Sequence, residues 1–179
     1  RGWFHFVAAK GHLTGSEHLA LEAYGEWLRD LETTNTTKSF KLVVLEVLLD
    51  SGAFFDGIEL DVLADRCREW IQRDAMLHAD VAGVKELGDL RTATAAAWRA
   101  YWRKNPVAAW TGGRWFALEG TRLVSRLRPA VPAAEALAAM TAELVDLRLA
   151  QYRRRHASSD SATSVVCRVT WNQRDPILQ

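Results

Sequence analysis

Between Lys41 and Leu49 the chain reads KLVVLEVLL, nine residues of which seven are aliphatic. Helical spacing spreads those side chains almost all round the axis, so the segment has no face to give to water. It must be a central helix, and the rest of the chain must wrap it. A cap at Thr36 or Thr37 and a stop near Gly52 would bound it. At 179 residues the chain is long enough for one domain with such a core, or for one domain plus a fragment of a neighbour.

The wrapping elements are legible as amphipathic helices. Thr14 and Glu17 have capping-box spacing, and Leu19, Leu21, Tyr24, Trp27, Leu28 and Leu31 then mark an apolar face. A long helix is expected from Pro132 to His156, with Leu137, Met140, Leu144, Leu147 and Tyr152 on one side. Arg148, Arg153, Arg154 and Arg155 load its C-terminal end, where the helix dipole favours cations without any ligand. A helix from Asp61 to Arg73 follows an extended Ile58 in the pattern G-I-x-L-x-x-L-A. WFALEGTRLVSRL alternates around a Glu119-Gly120-Thr121 turn, as a hairpin does. Residues 74–90 read as irregular, Thr92 to Arg103 as a helix, and Pro106 as the start of a short one. Helix, extended step, helix and later hairpin is an order that winged-helix domains commonly use. The expected fold class is therefore mainly α, a winged-helix-like helical domain with a small β-hairpin.

Residues 1–156 form the expected domain, 157–164 (ASSDSATS) a linker, and 165–179 a strand, a turn and an unfinished second strand that introduce a following β segment. With no methionine at Arg1 and that incomplete ending, the chain is expected to be a segment of a longer protein. No apolar run approaches the roughly 20 residues needed to span a bilayer, and the N-terminus lacks signal-peptide order, so no membrane partner and a cytoplasmic location are expected.

Catalytic chemistry finds no footing in the sequence. Cys67 and Cys167 lie far apart without a CxxC partner, and His5, His12, His18, His78 and His156 are scattered without ligand spacing. Walker loops, GxSxG elbows and paired-carboxylate constellations are missing as well. The segment reads as a binding domain with no catalytic residues, no metal and no cofactor, its two thiols simply buried.

What it binds is suggested by charge. The net charge is only +1, yet Arg99 to Arg128 holds seven cations against the single acid Glu119. Such concentration is the usual mark of a surface that meets a polyanion. Lys38, Ser39 and Lys41 in the first turn of the central helix add cations beside free backbone N–H groups.

Within the basic region stands YWRKNPVAAW, Tyr101 to Trp110. Asn105 and Pro106 are a cap and first-residue pair, so Val107 to Trp110 would form the first turn of a short helix beside Arg103 and Lys104. Phosphate sites at helix starts usually offer N–H groups. Here a proline ring replaces the first of them, and Ala108 and Ala109 add methyl groups. The floor suits a larger, softer anion, such as a phosphate with one oxygen replaced by sulfur.

TKSFKLVVLEVLL at Thr37 to Leu49, then RKNPVAAW and RWFALEGTRL, resemble the sulfur-binding domain of McrA-like type IV restriction endonucleases and related defence proteins. The similarity covers roughly Thr14 to His156. It implies recognition of phosphorothioate-modified double-stranded DNA, the sulfur entering an apolar cavity walled by a proline and an alanine three residues later, as Pro106 and Ala109 are spaced. Asn105 stands where some members carry an aromatic, which leaves it a capping role. The resemblance also implies a cation on the modified phosphate, for which Lys38, Lys41 and Arg103 are candidates. Lys104 and Arg114 would take neighbouring phosphates, Ser39 and Asn105 base edges, and Trp110 would support the cavity of Asn105, Pro106, Val107, Ala108 and Ala109 from behind. Trp102 and Trp115 are expected to pack. A nuclease or helicase domain would belong to the rest of the parent chain.

Two other classes stay open. A winged-helix regulator would read unmodified DNA through the helix at Asp61 to Arg73, although Asp61, Asp65, Glu69 and Asp74 load that helix with acids. A protein–protein interaction module would use the helix at Pro132 to His156.

Overall fold

The computed structural model describes residues 2–89 and 91–160. In chain order the elements are α1 (Trp3–Ala9), α2 (Gly15–Thr33), α3 (Phe40–Asp50), β1 (Ile58–Glu59), α4 (Leu60–Gln72), α5 (Ala75–Ala82) and α6 (Ala95–Trp102). A π-helical turn, Arg103–Val107, leads into α7 (Ala108–Thr111), then β2 (Phe116–Glu119), β3 (Arg122–Ser125) and α8 (Ala133–Asp160). The fold is mainly helical with a small antiparallel sheet, as the periodicities predict.

The aliphatic run is the centre of the molecule. Leu42, Val43, Val44 and Leu45 of α3 are wholly buried, and α4 and α8 pack against it. α2 lies along α8, with Trp27 Nε1 donating to Thr141 Oγ1 at 3.0 Å between them. Trp27 also gathers Phe54, Trp110, Trp115 and Phe116 into one aromatic cluster with ring centroids 5.7–6.0 Å from its own. The capping box at Thr14 forms as read: the Thr14 N–H donates to Glu17 Oε2 at 2.7 Å, and the Glu17 N–H to Thr14 Oγ1 at 3.3 Å.

The sheet order is β1-β3-β2, so the step before α4 pairs with the far strand of the hairpin. Glu119 pairs with Arg122 across the Gly120-Thr121 turn, where Gly120 has φ +61°. Gly57 lets β1 approach β3: its φ is +82°, and a Cβ there would lie 2.6 Å from the Leu123 carbonyl oxygen. Helix, short strand, helix and hairpin thus follow in the order read from the sequence, and the short strand completes a three-stranded antiparallel sheet.

Several expectations fail for identifiable reasons. Neither Thr36 nor Thr37 caps α3; Ser39 sits at the cap position and the carboxylate of Asp80 accepts from it. That carboxylate comes from α5, in a stretch that reads as irregular, where Asp74 caps a helix of only 8 residues by accepting from the N–H groups of Met76 and Leu77. α1, ahead of the capping box, was not expected either; Phe4 anchors it in the core. On α2, which kinks at Tyr24, Trp27, Leu28 and Leu31 are buried and Leu21 and Tyr24 pack on the core as read, but Leu19 is exposed and Ala20 takes its place inside. Leu147 is also exposed, and Val145 and Leu149 take the inner face of α8 instead.

The expected linker is helical where it is described, since α8 continues through Asp160. Its arginines therefore stand within the helix rather than at its C-terminus, and the dipole account of them does not hold. Arg153 pairs with Asp74 at 2.8 Å, Arg155 donates to Thr36 Oγ1 at 3.0 Å, and Arg148 donates to the Thr34 carbonyl. Residues 161–179, including Cys167 and the expected β segment, lie outside the described residues. Cys67 is buried as expected.

One buried charge sets a pH dependence. Burial, and then the like charge of Asp146, push the Glu46 carboxyl on α3 up to about 7. Its proton is held more tightly in the folded state, so its contribution to stability is complete below the ordinary glutamate range and is lost as pH rises through about 7. Glu46→Gln is expected to remove that decline. Allowing for partial solvent access, the variant should gain about 1–2 kcal/mol over wild type at pH 8 and nothing at pH 4, measured by urea unfolding at both values.

Candidate nucleic-acid interface

A proline in a helix lacks the N–H that its turn requires, and its ring crowds the carbonyl four residues back. The chain meets Pro106 by widening the helix into the π turn instead of ending it. Trp102, Arg103, Val107 and Ala108 keep right-handed helical backbone across the junctions, so α6, the turn and α7 are continuous. The Asn105 side-chain amide donates to the Tyr101 carbonyl at 3.1 Å. Asn105 is therefore not an N-cap, and no free helix start exists there. The N–H of Ala108 is taken by the Asn105 carbonyl.

The wide turn sorts the motif by exposure. Pro106 and Val107 turn inward, Ala108 and Ala109 outward, and Arg103 and Lys104 project to the surface. Opposite lies the start of α3, which packs on the π turn. Between the two is a concavity of about 460 Å³. Pro106, Ala108 and Ala109 form its floor, and Phe40 and Tyr101 form its wall, with ring centroids 6.1 Å apart at 89°. Lys38, Lys41 and Lys104 rim it, with Asn35, Thr37 and Asn105 between them, and among the described residues no carboxylate lines it.

The three lysines differ in freedom. Lys38 Nζ donates to the Asp80 carbonyl at 2.8 Å and lies 5.3 Å from the Phe40 ring centroid. Lys41 Nζ lies 4.5 Å from the centroid of Trp110 and donates to Thr34 Oγ1 at 2.9 Å. Burial of this half-covered ammonium lowers its pKa, and it makes no ion pair among the described residues. Lys104 is exposed and makes no ion pair among the described residues. Trp110 is buried outside the lining: its ring belongs to the aromatic cluster, and Nε1 donates to the Lys41 carbonyl at 3.0 Å. Trp102 is fully buried and Trp115 half-buried.

Other expected contacts are placed elsewhere. Ser39 is wholly buried, its N–H and Oγ donating to Asp80 Oδ2 at 3.0 and 2.5 Å, so it cannot reach a base edge. The anion that its helix start attracts is the protein's own. Arg114 pairs with Glu26 at 2.9 Å and Asp30 at 3.0 Å, its guanidinium 4.4 Å from the Trp115 ring. Arg103 opens onto a neighbouring groove with Asp61 and Arg99.

The basic stretch is thus partly neutralised by the fold. Arg99 reaches Asp65 and, at 3.2 Å, Asp61, while Arg122 reaches Glu59 at 3.4 Å. Hydrogen bonding from Arg99 holds the Asp65 carboxyl below its usual range. A count along the chain does not see acids that α2 and α4 bring from elsewhere. Phe40 and Tyr101 were not expected as lining; their only signal was the aromatic beside each lysine or proline motif.

No group of histidine, cysteine and carboxylate side chains among the described residues could hold a metal ion, and no helix among them is long and apolar enough to cross a membrane. The chain matches no known protein-family model, no curated protein and no solved structure.

Proposed function

We propose that the domain reads phosphorothioate-modified double-stranded DNA and directs a modification-dependent restriction or defence protein to it, without catalysing a reaction itself. The observation that carries this reading is an apolar floor of Pro106, Ala108 and Ala109 under three lysines, with no acid among the described residues of the lining. An oxyanion seeks N–H donors, and this floor offers ring and methyl carbon. Sulfur is polarizable and surrenders water cheaply, so it gains dispersion contacts there while the phosphate charge meets the rim. Lys41 is the best-supported cation for the modified phosphate, because it is half-covered, makes no ion pair among the described residues and lies directly over the Trp110 ring.

Paired titrations at fixed salt test the reading, with one short duplex carrying or lacking a single phosphorothioate in a G/C-rich context. The expected preference is tenfold or more, worth about 1.4 kcal/mol. Equal, salt-sensitive binding to both would favour a winged-helix reader of unmodified DNA. Binding to neither would favour a protein partner.

A further inference from the structure

The chain leaves α2 through Thr34, Asn35, Thr36 and Thr37 before α3 begins, and the exposure of these residues alternates. Thr36 is buried while Asn35 and Thr37 face outward, the period of two that an extended segment gives. Three cations of α3 and α8 fix the inward side. Lys41 donates to Thr34 Oγ1 at 2.9 Å, Arg148 to the Thr34 carbonyl, and Arg155 to Thr36 Oγ1 at 3.0 Å. Both neighbours of Asn35 are therefore tied down, and Asn35 is held on the rim of the cavity floored by Pro106, Ala108 and Ala109. Fixing a polar side chain before its ligand arrives lowers the entropy lost on binding.

A site that met only phosphate would be blind to sequence. The two side chains expected at base edges are both spent within the fold: Ser39 is buried against Asp80, and the Asn105 amide donates to the Tyr101 carbonyl. Asn35 is exposed, and its amide makes no hydrogen bond among the described residues. Lysines already bring positive charge to this rim, and phosphate oxygens only accept, so the carbonyl half of an amide finds no partner on a phosphate. An amide is matched by an edge that accepts and donates side by side. In the major groove adenine has that edge, with N7 next to the N6 amino group. Guanine presents two acceptors, cytosine a donor alone, and thymine an acceptor beside a methyl group.

We infer that Asn35 is the sequence-reading residue of this site, and that it takes the major-groove edge of an adenine adjoining the modified phosphate. The inference rests on the proposed reading for the ligand and deepens it by naming a base. A backbone phosphate stands at the border of the major groove, so a side chain on the rim of its site meets the adjoining base pair. The floor then discriminates sulfur from oxygen, the lysines supply affinity for the charge, and Asn35 selects the base.

The test uses the full chain and two sets of four short duplexes, each made with and without the phosphorothioate. Only the base immediately 5′ of that phosphate, or immediately 3′ of it, varies within a set. Wild type is expected to favour adenine over the other three bases about tenfold in one of the two sets, the size of one bidentate contact. Asn35→Ala should remove that preference and leave the preference for sulfur on a given duplex unchanged. Asn35→Asp should turn the preference from adenine to cytosine, because a carboxylate accepts from the cytosine N4 amino group and is repelled by adenine N7. A residue that only shaped the loop would not exchange one base for another. Thermal melting identifies a variant that fails to fold, and the other substitution then decides. If wild type prefers sulfur but does not favour adenine in either set, or if that preference survives in the folded variants, the Asn35 assignment is wrong and the cavity reading stands. Should wild type favour adenine and lose this with Asn35→Ala, while sulfur changes nothing, the cavity reading fails and Asn35 remains the base reader. Absence of DNA binding by wild type would overturn both.

Discussion

Ala109→Asp is expected to abolish the preference for phosphorothioate DNA and to weaken binding of the modified duplex about 100-fold, with little change in melting temperature. Ala109 is exposed on α7, so an aspartate there meets water in the free protein and leaves the core untouched. In the complex its carboxylate would face the modified phosphate across the cavity floor. At a separation of about 5 Å and an effective dielectric constant near 20, two like charges repel by roughly 3 kcal/mol, or about two decades in affinity. The same change replaces a methyl surface with a hydrated one, which removes the reason for sulfur to be preferred over oxygen. Titration of wild type and variant against both duplexes measures the two effects together. A variant that kept the full preference would show that the sulfur does not lie on this floor. Pro106→Gly is the less clean experiment, because Pro106 is buried within the π turn.

Asp80→Ala is expected to cost about 3–5 kcal/mol of stability, seen as a fall in melting temperature on the order of 10–15 °C. One carboxylate of α5 joins three helices. Its Oδ2 accepts from the N–H and Oγ of Ser39 at the start of α3, and its Oδ1 accepts from the Tyr152 hydroxyl on α8. Ser39 and Tyr152 are almost wholly buried, so the truncation strands three donors without water. It also removes the anion that complements the helix start. Tyr152→Phe deletes one donor along with its need and should cost no more than about 1.5 kcal/mol. Chemical denaturation of the two variants checks the ordering; equal losses would mean that the hydroxyl contact, and not the helix start, dominates.

These two residues also show how far the sequence could be read. The cavity floor was legible, because proline, alanine and adjacent cations are local features. α3 was legible too, since seven aliphatic residues in nine admit few alternatives. Asp80 was not. Its role depends on α5, whose 8 residues carry little periodic signal, and on partners 41 and 72 positions away. Arg114 failed in the same way: nothing near it in the chain announces Glu26 and Asp30, 88 and 84 positions earlier. The Asn105 cap failed for a local reason, since Asn-Pro marks a helix start only when the preceding helix has stopped. Here the side-chain amide of Asn105 returns a donor to the Tyr101 carbonyl, and the helix continues.

That continuity fixes the phase of everything after it. A π turn holds about one residue more than an α turn, and one residue corresponds to about 100° of rotation round the axis. From Ala108 onward, each side chain is therefore presented a step less far round than an unbroken α-helix would present it. Trp110 is thereby directed into the aromatic cluster while Ala109 faces outward. The proline that disrupts the helical repeat also sets which side chains become surface, so the chemical character of the floor is a matter of angular register as much as of composition.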